Sequence, residues 1–358
     1  MELFNTKDEQ STQSQLTKSI KMKALELGFS RVGVTSADDF TDLAQELSMR
    51  EDYQARWCGP KGENSLLAGC FPRLQFPEGK SIICTVVGFS DIGFPDSLSG
   101  RIGRAYLSRC YLPTAESIAG LRVQAFKDYL TGQGIKIYQG PEEIPARAAC
   151  FRAGAVSWGR NNFARTKEDG SFIILYTFLV DAKLDVDCAT DVSLPENRCL
   201  DNCTLCQDAC PTKALSAPAR LEWKKCILFN NLRGGANEDL RDSLGCHIHG
   251  CDICQLVCPR NKEALTKPKR PDPFLEELAK IFDLEKLLVL DQEYYEQCVY
   301  PIMYNYIKDL EIFKRNAAIA LGNSGDKKHL DALRQGYEKS NDSDTREIIS
   351  WAIGKLDQ

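Results

Sequence analysis

Nothing in the 358-residue chain reads as a membrane span or an export signal. Its longest nearly unbroken apolar run, Phe172 to Val180, is about half the length a transmembrane helix needs. The N-terminal MELFNTKDEQ has no basic region leading into an apolar core and no twin arginine, so the cytoplasm is the expected location. Positive charge is in deficit, with 45 Lys and Arg against 50 Asp and Glu, a net charge of −5. That excludes a global cationic field and confines any nucleic-acid contact to a local patch. No G-x-G-x-x-G follows a strand, and GRIGRAYLSR (Gly100–Arg109) has its glycines at the wrong spacing, so a dinucleotide-binding Rossmann fold is not expected.

Cysteine, by contrast, is abundant, with sixteen in the chain. The composition is otherwise ordinary for a globular protein, 43% hydrophobic and 27% charged, and the length suits two or three domains. Cytosolic thiols stay reduced, so a metal or cluster site explains this surplus better than a disulfide framework. Cys58, Cys70, Cys84, Cys110, Cys150 and Cys188 are scattered singly and Cys298 stands alone, while nine fall between Cys199 and Cys258. Composition shifts near Leu194–Pro195 and again at KPKRPDP (Lys267–Pro273), which divides the chain into segments 1–194, 195–270 and 271–358.

The first segment alternates helical and extended patterns. Leu16, Ile20, Ala24 and Leu27 recur at helical spacing, and Gly28 follows as a stop. Arg31–Thr35, Ser81–Phe89, Ile135–Tyr138 and Phe172–Val180 read as strands, and Ala115–Leu130 as a helix. An α/β or α+β sandwich around a central sheet is the expected architecture. From Tyr304 onward the pattern is helical. RNAAIALGNSGD and SWAIGKLD share an A-aliphatic-G ending 32 residues apart, which fits a short HEAT-like repeat or an ordinary helical subdomain. Nine basic residues there balance nine acidic ones, while Arg260, Lys262, Lys267, Lys269 and Arg270 form a basic stretch suited to a phosphate contact or to simple solvation.

The cysteine block is more specific. Cys199, Cys203, Cys206 and Cys210 stand as C-x3-C-x2-C-x3-C-P, and Cys251, Cys254 and Cys258 as C-x2-C-x3-C-P. Such a tight loop aims three sulfurs at one iron–sulfur cubane, and the cysteine before proline points to a second. Crossed ligation assigns Cys199, Cys203, Cys206 and Cys258 to one [4Fe–4S] cluster and Cys210, Cys226, Cys251 and Cys254 to another, with Cys246 the rival of Cys226. Two four-cysteine zinc sites would use the C-x2-C pairs but leave both C-x3-C-P tails without a reason. His247 and His249 flank Cys246 either as tuning groups or as ordinary loop histidines, and His329 has no evident partner.

The segments KALELGFSRVGV, FPRLQFPEGKSII, QGPEEIPARAACFRAG, GCDICQLVCPRN and RNAAIALGNSGD, in this order, resemble the epoxyqueuosine reductase family across nearly the whole chain. The resemblance implies an α+β protein with three parts. These are an N-terminal α/β cobalamin-binding sandwich like that of reductive dehalogenases, a ferredoxin-like domain with two [4Fe–4S] clusters, and a C-terminal HEAT-like region that holds tRNA. It implies reduction of epoxyqueuosine in a tRNA anticodon stem-loop to queuosine, by a monomer supplied by an external low-potential electron donor. It also places Arg147, and the turn Gly159, Arg160 and Asn161, beside the cobalamin.

Two stretches depart from the family. Where its V-D-T-G-P carries the aspartate that protonates substrate, this chain reads I-Y-Q-G-P, so Tyr138 takes the position. Dehalogenases resembling this fold use a tyrosine as acid, and Arg147 or Arg160 would assist it by lowering its pKa. Tyr138 as packing, and Glu142 or Glu143 as the acid, are the alternatives. The family's R-Y-A-x-G-x-D-Y-H is reduced to RAYLSRCYLP, keeping Arg104, Arg109 and Tyr111. Reductive C–O or C–halogen cleavage in a small molecule, and a non-catalytic electron carrier or corrinoid activator, are therefore the competing expectations.

Overall fold

Three antiparallel strands, Arg31–Ser36 (β1), Ser81–Gly88 (β2) and Ile173–Val180 (β3), form the main sheet with β2 in the middle. This is a computed structural model; it describes residues 2–50, 58–59, 62–63, 65–140, 144–187, 199–235 and 237–358. The apolar run of β2, SIICTVVG, is what a strand covered on both faces requires, and seven of its eight residues are buried. Alternation turns Ile82, Cys84 and Val86 toward one layer, where they pack with Ala149 and Cys150 of Ala146–Arg152 and with Ala153 directly after it. On the opposite face Phe178 meets Phe126, which in turn meets Phe29, in edge-to-face contacts of 5.1 and 5.7 Å.

Helices Glu2–Glu26 (α1) and Ile118–Gly132 (α2) supply that second layer, joined by a 2.7 Å hydrogen bond between Ser19 and Tyr129. Ser117 caps α2 by accepting from the Gly120 N–H. Ala146–Arg152 (α3) approaches the sheet closely because its inward residues are small. A Cβ on Gly33 would lie 2.5 Å from the Ala153 carbonyl oxygen. Arg152 then fastens the end of α3 by donating to Thr35 Oγ1 at 2.9 Å and to the carbonyls of Ser36 and Asp38 at 2.8 and 3.0 Å. The expected strand Ile135–Tyr138 shrinks to one bridge, Ile137 to Val180, because the chain leaves the sheet edge directly after Tyr138.

The chain forms two compact units whose borders differ from the three sequence segments 1–194, 195–270 and 271–358. The first comprises 1–88, 113–159 and 163–200; the second comprises 89–112, 160–162 and 201–358. The physical reason lies in backbone pairing that composition does not reveal. Gly103 N–H donates to the His249 carbonyl at 2.7 Å and Ile248 N–H to that of Arg101 at 2.8 Å, which binds the early segment 89–112 to the second cysteine loop. Gly250, at φ +83°, permits the contact, since its Cβ would sit 3.0 Å from the backbone of Gly103.

In the second unit, Leu205–Asp208 (α4) and Ile253–Leu256 (α5) pack together. Their preceding residues, Thr204 and Asp252, share nearly the same backbone angles, φ −117° and ψ 2° against φ −114° and ψ 3°. The two cysteine loops are thus structural duplicates. Leu310–Ser324 (α6), Leu330–Lys339 (α7) and Ser343–Asp357 (α8) follow, with α6 packed on α8 where Gly322 meets Ala352. The asparagines of RNAAIALGN tie α6 to the cysteine-bearing segment. Asn316 donates to the carbonyls of Asn231 and Ile248 at 2.7 and 2.9 Å, and Asn323 to those of Arg241 and Gly245 at 2.8 and 3.0 Å. That is why 271–358 is continuous with 201–270.

His329 does have a partner, correcting the sequence reading: its Nδ1 lies 2.6 Å from Glu285 across a contact built only when α7 folds back. The basic stretch is also partly committed to the fold. Lys269 donates to the Ser90 and Ala264 carbonyls, and Arg270 pairs with Asp91 at 2.8 Å.

Asn316→Ala leaves two carbonyls of the second unit without their donor at a 1% exposed site. The expected loss is about 2 kcal/mol of unfolding free energy, read from the denaturant midpoint at unchanged slope.

Candidate metal centre

Each cysteine loop places its sulfurs by turning sharply into a short helix. Cys206 is buried on α4, and Cys254 lies on α5. Asn202, directly before Cys203, adopts φ +53°, a left-handed turn that asparagine tolerates better than most residues. Cys226 stands directly before Ile227–Leu232; burial raises its thiol pKa, and the nearby backbone N–H groups of Phe229 and Leu228 act against that rise. These donors favour the thiolate, as an electropositive helix start does.

Cys210, Cys226, Cys251 and Cys254 lie close together, and neighbouring thiols help raise the pKa of Cys226, Cys251 and Cys254. Cys254 feels Cys251, Cys226, Cys206 and Cys210, and Cys251 feels Cys226 and Cys210. Burial is the larger cause and pushes the Cys251 thiol up to about 12, with Cys254 also strongly raised. Cys246, the rival of Cys226, instead directs its thiol at the Ala320 carbonyl, 3.7 Å away. Cys199, Cys203 and Cys258 are half-buried. Among the described residues no three His, Cys, Asp or Glu side chains close on one point as ligands of a single ion do.

Four mutually close thiols, two of them favoured as thiolates by nearby backbone N–H groups, make a donor set suited to a soft, electron-rich iron–sulfur centre. Without a metal, burial keeps such thiols protonated, so filling the site displaces protons. Asp252, between two cysteines of the second loop, is held by the Arg104 N–H at 2.8 Å and the Gln255 amide at 3.1 Å. Burial raises its carboxyl pKa.

Both loop histidines are neutral parts of the packing. His249 is fully buried between Tyr106 and Phe313, with ring centroids 4.2 and 5.9 Å away, and its Nε2 lies 3.2 Å from the Tyr304 carbonyl. Burial lowers its pKa to about 3. His247 is lowered by burial too, with Nδ1 3.2 Å from the Leu244 carbonyl.

Gly159, Arg160 and Asn161 form the turn of a small hairpin, Ser157–Trp158 paired with Ala164–Arg165. Gly159 N–H donates to the Phe163 carbonyl, and Asn162 takes φ +65°. Arg160 donates to the Cys203 carbonyl and Asn161 to the Cys254 carbonyl, each at 3.1 Å. The turn therefore contacts both cysteine loops of the second unit. At the base of the hairpin, Arg165 points Nη1 at the Cys199 sulfur, 3.6 Å away. Sequence reading missed this arginine because it sits in no motif; only strand pairing brings it to the cysteine.

Arg147 is exposed on α3 with its guanidinium 5.3 Å from the centre of the Trp158 ring. Tyr138 is half-buried, packed on Phe76 with ring centroids 6.2 Å apart. Its hydroxyl lies where a Cβ on Gly140 would be, 2.0 Å away, so that glycine is required for the ring to hold its place. Glu142 and Glu143 lie outside the described residues. Of the remaining motif residues, Arg109 is taken up by an ion pair with Asp272, and Tyr111 stacks on Tyr106 at 5.1 Å.

These loops define an iron–sulfur protein: residues 198–261 match the family model for a 4Fe-4S double cluster binding domain. Over its wider extent the chain resembles the epoxyqueuosine reductases. It is 28% identical to that of Escherichia coli, covering 96% of this chain and 90% of the relative, and 28% identical to that of Bacillus cereus, covering 96% and 89%. In fold it is similar to the epoxyqueuosine reductase of Streptococcus thermophilus, at TM-score 0.76 and 22% identity over 94% of this chain and 89% of that one. It is also similar to an epoxyqueuosine reductase solved with an epoxyqueuosine-modified tyrosine tRNA stem loop, at TM-score 0.71 and 24% identity over 96% and 99%. Among the described residues no helix is long and apolar enough to cross a membrane.

Stripping iron with a chelator under reducing, oxygen-free conditions should lower Tm by roughly 5 °C or more, and iron with sulfide should restore it. An unchanged Tm, read by calorimetry on both forms, would mean that these thiols hold nothing that stabilises the fold.

Proposed function

We propose that this chain is a cobalamin- and iron–sulfur-dependent reductase that converts epoxyqueuosine in a tRNA anticodon stem-loop to queuosine. It acts in the cytoplasm, as a monomer, on electrons from an external low-potential donor. The observation that carries the reading is the resemblance to epoxyqueuosine reductases over 96% of the chain, which spans the cysteine block and both flanks. The relative solved with a modified stem loop supports the substrate.

In this assignment Cys199, Cys203, Cys206 and Cys258 hold one [4Fe–4S] cluster, and Cys210, Cys226, Cys251 and Cys254 the other. The mutual closeness of the second set, and of Cys206 to Cys254, supports two clusters side by side. Residues 1–194 make up the cobalamin-binding domain in outline, and α6 to α8 serve as the HEAT-like helices. Arg147 and Phe151, both exposed and four residues apart on α3, fit one side of a flat macrocycle carrying amide groups. Arg160 and Asn161 each donate to a cysteine-loop carbonyl, so with Gly159 they serve the cofactor by fixing the turn.

When bound, cobalamin and the clusters would supply the reductive cleavage and its electrons. The chain's own residues orient substrate and deliver a proton. Tyr138 Oη is the proposed acid, held by Phe76 on one side and by the bare backbone of Gly140 on the other. A tyrosine where the family carries aspartate also favours a second reading, a corrinoid reductase of a small molecule.

The test is oxygen-free protein, assayed for iron and cobalt and then given reductant and epoxyqueuosine-bearing tRNA. Queuosine measured by nucleoside mass spectrometry supports the proposal. Iron and corrin without queuosine would favour the small-molecule reading, and iron without corrin an electron carrier. Tyr138→Phe should slow turnover about 100-fold with iron and corrin content unchanged. Gly140→Ala, which pushes the phenol aside, should act in the same direction.

A further inference from the structure

We infer that Arg165 sets the reduction potential of the iron–sulfur cluster served by Cys199, an inference that rests on the two-cluster reading. Arg165 is only 4% exposed, on the hairpin strand Ala164–Arg165. Its Nη1 is 3.6 Å from Cys199 Sγ, and its Nε donates to Ser157 Oγ at 3.1 Å across the hairpin. Ser157 is itself buried and donates back to the Arg165 carbonyl at 3.5 Å. The guanidinium is therefore fixed in place before any cluster is present, by backbone pairing and by the serine.

A guanidinium stays protonated throughout the working pH range, so this is a permanent positive charge. Burial gives that charge a stronger pull on its neighbours than a surface arginine has. One-electron reduction adds a negative charge to the cluster and its thiolates, and no bond to the ligand breaks. A fixed cation and N–H donor at a ligand sulfur favour the reduced form over the oxidised one, which raises the potential. The arginine acts on a cluster ligand and not on the substrate. It is a tuning residue, and its effect falls on the cluster bound by Cys199.

The experiment is an anaerobic dithionite titration of the reconstituted full chain, followed by electron paramagnetic resonance, for the parent protein, Arg165→Leu and Arg165→Gln. The expected result is that one of the two midpoint potentials moves to a more negative value in both variants while the other stays put. The shift is larger for leucine, which removes charge and donor together, than for glutamine, which keeps an N–H. Two unmoved potentials with full iron content would overturn the inference. Loss of half the iron in both variants would also overturn it, by assigning Arg165 to cluster retention. A parent chain that takes up no iron would instead refute the two-cluster reading.

Discussion

Cysteine thiols that are both buried and crowded are the constraint around which the second unit is arranged. Burial makes Cys226, Cys251 and Cys254 costly to ionise, and neighbouring thiolates add repulsion when they do. Only a strongly attracting centre reverses that balance, because it offers each sulfur a metal bond in place of water. The backbone N–H groups of Leu228, Phe229 and Ile253 act in the other direction from burial, favouring the charged state of Cys226 and Cys251. The loop duplicates α4 and α5, packed together, bring the two cysteine runs side by side.

The elements around those loops are held by buried and half-buried side-chain donors aimed at backbone carbonyls. Asn316 and Asn323 clamp the loops from α6, and Arg160 and Asn161 clamp them from the hairpin turn. The three side-chain amides suit this work because they donate without carrying a charge into the interior, while Arg160 keeps its guanidinium half-buried. Where a charge is buried, as at Arg165, it faces a sulfur that becomes anionic when it ligates iron. Elsewhere in the first unit Arg152 ties α3 to β1, its guanidinium 3.8 Å from the centre of the Phe40 ring.

Tyr138 shows how a motif departure acquires physical meaning. The sequence shows that a phenol replaces a carboxylate before Q-G-P; the fold adds that the phenol leans across Gly140 and onto Phe76. A phenol in that position is a longer, weaker acid than an aspartate and relies more on its surroundings.

Spacing and periodicity alone determined a good deal: the buried central strand from its unbroken apolar run, the long helices from their repeats, and the double cysteine loop from C-x3-C-P. These are local signals, because a strand, a helix or a ligand loop is specified by residues a few positions apart. Tertiary structure alone decided that 89–112 joins the second unit, that Cys226 rather than Cys246 stands among the other thiols, and that Arg165 reaches Cys199. Each of these depends on backbone hydrogen bonds or burial between residues far apart in the chain, which leave no periodic trace in the order of amino acids.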